Sequence, residues 1–149
     1  MEIKFEFVFK NENSKEVIIS QPYTLKQIMD LQVDDIREHS LTCDCQPVGE
    51  TNVVECNCED YYDEFEQVAE RQFTGLKDKN GEEIYHGDIL AHHKAEDEVV
   101  LVNWHTGYAS FCLDKKGWAF SHFFGEAGRS DEFIIIGNLY QNPELLNKK

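Results

Sequence analysis

From Val99 onward the chain is broken into short apolar runs, VVLVNW (99–104), YASFCL (108–113), WAFSHF (118–123) and FIIIGNLY (133–140). They are separated by Gly107, by the DKKG turn (114–117) and by the GEAGRS loop (125–130). Apolar runs this short, at this spacing, predict antiparallel strands that curl into a small barrel-like sheet. With 41% hydrophobic and 12% aromatic residues in 149, the chain can bury enough surface to fold, which excludes disorder of the whole.

Upstream, Ile3, Phe5, Phe7 and Phe9 alternate with Glu2, Lys4, Glu6 and Lys10, the period of a half-buried strand. NENS (11–14) is a turn, after which Val17, Ile18 and Ile19 return as a hairpin partner. Thr24-Leu-Lys-Gln27 has the form of a capping box and Tyr23 can staple to Ile28, so a helix should start at Leu25; the spacing of Leu25, Ile28, Met29, Val33 and Ile36 carries it to about Arg37. Asn80-Gly81 predicts a tight reversal, and Gly87-Asp88 a second break before Ile89. The expected class is α+β, mainly β: an N-terminal hairpin plus short helix (1–40), an acidic, cysteine-containing insert or linker (41–70), and a β-rich part (71–146) with a small antiparallel, SH3-like barrel.

Charge narrows the partners. Against 14 Lys and Arg stand 29 Asp and Glu, a net charge of −15, and from Glu50 to Glu70 there are eight Asp or Glu and no Lys or Arg. Such a chain repels phosphates and anionic lipid, so membrane surfaces and direct nucleic-acid binding are disfavoured, a small patch of Lys77, Lys79, Lys115 and Lys116 notwithstanding. The start MEIKFEFVFK alternates where a signal peptide would be continuously apolar, and no apolar stretch reaches membrane-spanning length, which predicts a cytoplasmic protein.

The run Gln72-Phe-Thr-Gly-Leu-Lys-Asp-Lys-Asn-Gly-Glu-Glu-Ile-Tyr-His-Gly-Asp-Ile-Leu90, with the closing Ile136-Gly-Asn-Leu-Tyr-Gln-Asn-Pro-Glu-Leu145, resembles the YopX protein family of bacteriophages and prophages. The likeness covers residues 72–146, and the segment before it lacks the family's usual F-R-A-W-like start. The resemblance implies expression in a bacterial host and a β-rich fold with a barrel-like C-terminal part; it supplies no catalytic residues. Read by themselves, Gly75, Gly81 and Gly87 serve turns, Asp78 and Asp88 accept local backbone N–H groups, and Ile84, Ile89 and Leu90 enter the core. Tyr85, His86 and Asp88 are also candidates for part of a binding surface.

Five cysteines without an export signal argue against a disulfide framework. Cys43-Asp-Cys45 and Cys56-Asn-Cys58 offer four thiolates, the count for a tetrahedral structural zinc, although the common knuckle is C-x-x-C; free thiols in a hairpin and a redox disulfide are the competing readings. Cys112, within Phe111-Cys-Leu113, reads as a buried structural thiol, with pairing to His105 or His122 as the reactive alternative. Adjacent His92 and His93 should point to opposite faces of a strand and not share an ion. Trp104, Tyr108, Phe111, Trp118, Phe120 and Phe123 are expected mostly to fill the barrel, leaving Phe124 as the candidate contact residue. These features favour a non-enzymatic accessory protein that binds a host or phage protein through an acidic surface. The alternatives are a small zinc- or thiol-dependent enzyme built on the C-x-C pairs and an acidic mimic of nucleic acid.

Overall fold

In the computed structural model, residues 2–31, 36, 64–114, 122–123 and 129–147 are described. The fold is mainly β. Strands β1 (Lys4–Asn11), β2 (Val17–Ile19) and β3 (Tyr23–Thr24) lead into the short helix α1 (Leu25–Asp30). They are followed by β4 (Phe65–Lys77), β5 (Glu83–Tyr85), β6 (Asp88–His92), β7 (Ala95–His105), β8 (Ser110–Asp114), β9 (His122–Phe123) and β10 (Phe133–Asn138). The chain divides into two compact units, residues 5–70 and residues 71–149 together with the first four.

In the first of these units, the β1–β2 hairpin has the predicted alternation and the antiparallel register Val8↔Ile19, Phe9↔Ile18 and Lys10↔Val17. Its turn is held by Asn11, whose buried Oδ1 accepts the N–H groups of Asn13 and Ser14 while Nδ2 donates to Glu64. Phe7 and Phe9 form a core with Tyr23, Ile36 and Phe65. Val8 is also fully buried, so β1 is covered on both faces at its centre. The capping box at Thr24 is complete: Thr24 N–H donates to Gln27 Oε1 at 2.8 Å and Gln27 N–H to Thr24 Oγ1 at 3.4 Å. Helix α1 ends at Asp30, where Leu31 turns extended and packs its side chain on the core; Ile36, the next described residue of the span expected to reach about Arg37, is again helical.

Within residues 71–149, β10-β6-β7-β8-β9 is an antiparallel, curled sheet, the barrel-like part expected from the sequence. Its core is Ile84, Leu90, Val100, Val102 and Leu113, with Leu76, Phe111, Phe133 and Ile135 packed against it. The Asn80-Gly81 reversal joins β4 to β5, with Gly81 at φ +84°. Asp78 organises this turn and ties it to the sheet: Oδ1 accepts from Asn80 and Glu82 N–H, and Oδ2 from Ile135 N–H on β10 at 3.1 Å.

The two ends of the 72–146 motif also meet at Gly87. Its N–H donates to Val102 O, its carbonyl accepts from Leu139 N–H, and its missing side chain makes room for the Tyr140 ring. Asn138, buried beyond the bulge at Ile136, accepts from Tyr140 and Gln141 N–H and turns the chain back. From Pro143 to Asn147 the chain coils as a 3-10 turn that seats Leu145 against Gly137. Upstream, Phe65–Glu70, assigned to the acidic insert from composition, is the first part of the thirteen-residue β4, anchored by fully buried Phe65.

Two glycines with the same φ separate strain from space. Gly81→Ala meets nothing within 4 Å and should lose only the left-handed backbone penalty, about 1 kcal/mol. Gly87→Ala adds a Cβ 3.0 Å from Tyr140 Cε2 and should lose about 2–3 kcal/mol. Urea denaturation of both variants, with Tyr140→Ala recovering part of the Gly87→Ala deficit in a double-mutant cycle, measures this.

Candidate functional site

The residues singled out at 85–88 do not face one way. Tyr85 and Asp88 are buried, and His86 between them is partly exposed, as alternation at the end of β5 and the positive-φ turn at Gly87 dictate. Asp88 Oδ2 accepts from Tyr85 N–H at 2.7 Å, and Oδ1 pairs with the Arg71 guanidinium. Arg71 Nε also donates to His86 O at 3.0 Å, and its guanidinium lies over the Tyr85 ring, 5.6 Å from the centroid. Arg71 and Asp88 thus hold the strand end and the turn that present His86. Burial pushes the Asp88 carboxyl up to about 6, opposed by Arg71 and the Tyr85 N–H, while Asp78 adds to the rise.

His86 belongs to an aromatic ledge. On β7, Val100 and Val102 point into the core; Trp104, next on that face, lies where the core ends and is 42% exposed. It is fixed edge-on to its cross-strand partner Phe111, with centroids 4.9 Å apart and planes at 77°. The His86 ring also lies near Phe111, with centroids 6.5 Å apart and planes at 43°. Trp104 was expected to fill the barrel; the period that placed it inward is right, but the sheet outruns its core.

A polar relay sets the chemistry of His86. Asn103 Oδ1 accepts Trp104 N–H at 2.9 Å, and Nδ2 donates to Asp114 Oδ2 at 2.8 Å, which fixes the amide's orientation from both sides. His86 Nε2, 3.3 Å from that same Oδ1, must therefore carry hydrogen and donate. In neutral His86 the lone pair is then on Nδ1. Asn103 carries no motif of its own in the sequence, because its role depends on the β7–β8 register Asn103↔Cys112.

The remaining candidates are placed as follows. Cys43, Cys45, Cys56, Cys58 and Phe124 lie outside the described residues. Cys112 is buried, with Sγ 3.6 Å from Asp114 Oδ1. His92 and His93 do not point to opposite faces: their rings stack at 4.9 Å and 22° because β6 ends at His92 and the chain turns there. His93 Nδ1–H donates to Glu132 O at 2.8 Å, and His92 Nε2 lies 3.6 Å from the Glu132 carboxylate. Among the described residues no group of three or more His, Cys, Asp or Glu is arranged to hold a metal ion. Nor is any helix among them long and apolar enough to cross a membrane.

The raised Asp88 value fixes the sign of a pH effect. A carboxyl that holds its proton more tightly when folded contributes stability that is full below its unfolded value of 3.8 and is lost as pH rises through about 6. Wild type minus Asp88→Asn stability, from urea midpoints at a series of pH values, should therefore decrease from about pH 4 to about pH 7. A difference that grows over this range would contradict the assignment.

A search of curated proteins finds no match. Among solved structures, the crystal structure of protein EF1440 from Enterococcus faecalis is 25% identical to this chain, covering 95% of it and 97% of that chain, with a TM-score of 0.44. The family model described as YopX protein matches residues 8–147, so the likeness extends beyond 72–146 to the hairpin and α1 as well. The chain belongs to the YopX protein family.

Proposed function

We propose that this chain is a non-enzymatic phage or prophage accessory protein that binds a host or phage protein, with its acidic charge drawing the partner in and the His86–Phe111–Trp104 ledge making the central contact. The observation that carries this reading is Trp104: a large ring left 42% exposed yet packed edge-on against Phe111. A pre-ordered tryptophan forfeits little side-chain entropy on binding, and Trp is among the residues that most often dominate interfaces. The net charge of −15 acts at longer range, raising the encounter rate with a basic surface without itself choosing the partner.

Affinity capture from host lysate with the full chain at moderate salt, followed by titration of the recovered partner, tests the reading. A defined partner should bind less tightly as salt rises and about tenfold less tightly to Trp104→Ala, with that variant's folding checked by circular dichroism. A partner indifferent to both changes would refute it, and displacement of that partner by duplex DNA would mark the chain as a nucleic-acid mimic instead.

A further inference from the structure

We infer that the ledge formed by His86, Trp104 and Phe111 takes an arginine side chain of the partner, a deepening that rests on the protein-binding reading above. Three features converge on that side chain. The Trp104 and Phe111 planes, nearly perpendicular at 77°, give a corner of aromatic surface suited to a flat cation, which is attracted by ring faces. His86, locked by Asn103 into donating from Nε2, has its lone pair on Nδ1 when neutral, and that atom has no partner among the described residues. A guanidinium supplies both halves: a plane that stacks and N–H groups in that plane that donate. The overall charge of −15 favours a cationic occupant over a neutral or acidic one.

Lysine fits less well. Its ammonium is strongly hydrated and has no plane to stack, so the corner should prefer Arg to Lys although both carry one charge. Citrulline, which keeps the planar shape and N–H groups without the charge, separates shape from charge.

The test is a titration of the isotope-labelled full chain with N-acetyl-Gly-Arg-Gly-amide and with its Lys and citrulline counterparts, followed by NMR. The Arg peptide should shift the Trp104 indole N–H and the ring signals of His86 and Phe111, with Lys about threefold weaker and citrulline weaker still. His86→Phe keeps an aromatic ring but removes the acceptor, and should weaken Arg binding about fivefold; Trp104→Leu should abolish the localised shifts. Equal binding of citrulline and Arg, or shifts scattered over surface carboxylates and unaffected by His86→Phe, would overturn the assignment. A captured partner that still depends on Trp104 while the Arg peptide fails would overturn only the arginine assignment. Arg-peptide binding at the ledge beside a captured partner that ignores Trp104 would uphold arginine recognition by the ledge and refute the partner as the source of that side chain.

Discussion

A carboxylate taken out of water must have its oxygens met by donors, and two such carboxylates, Asp78 and Asp88, fix the strand ends of residues 71–147. Asp78 spends both oxygens on backbone N–H groups, and Asp88 divides its two between the Tyr85 N–H and the Arg71 guanidinium. Asp78 thereby joins the β4–β5 turn to β10, more than fifty residues later in the chain. Asp88, with Arg71 under it, pins the corner from which β6 departs. The hydrophobic core then fills a frame whose corners are polar and fully bonded.

Much of this frame was legible because it is local. A Thr-x-x-Gln box, an Asn-Gly reversal and a Gly-Asp break each specify their geometry within a few residues, and the structure has all three. What sequence could not supply was the extent of each element. The spacing after Leu25 suits a long helix, yet α1 stops where Leu31 finds the core. Phe65–Glu70 reads from composition as part of an acidic insert or linker because Glu66 and Glu70 are charged, yet its exposed Glu66, Val68 and Glu70 show the alternation of a strand with one wet face. His92 and His93 stack because β6 ends between them, a boundary invisible to an argument from period two.

The candidate site was legible in part. His86 was named from the motif, but its companions were not, since Trp104 and Phe111 meet only through the β7–β8 register and Asn103 acts only through three partners from three places in the chain. The residues flanking His86 in sequence, Tyr85 and Asp88, serve as its foundation and not as neighbours on a surface. One stretch therefore contributes both scaffold and exposed chemistry, separated by which way alternate side chains turn.

The seat of Tyr140 on Gly87 has a kinetic consequence. The two residues are about fifty positions apart, so the contact forms only after the intervening strands have been brought together and the entropy of closing that loop has been lost. Absent from the transition state, a latch of this kind adds little to the speed with which the sheet is reached and much to how long it lasts once shut.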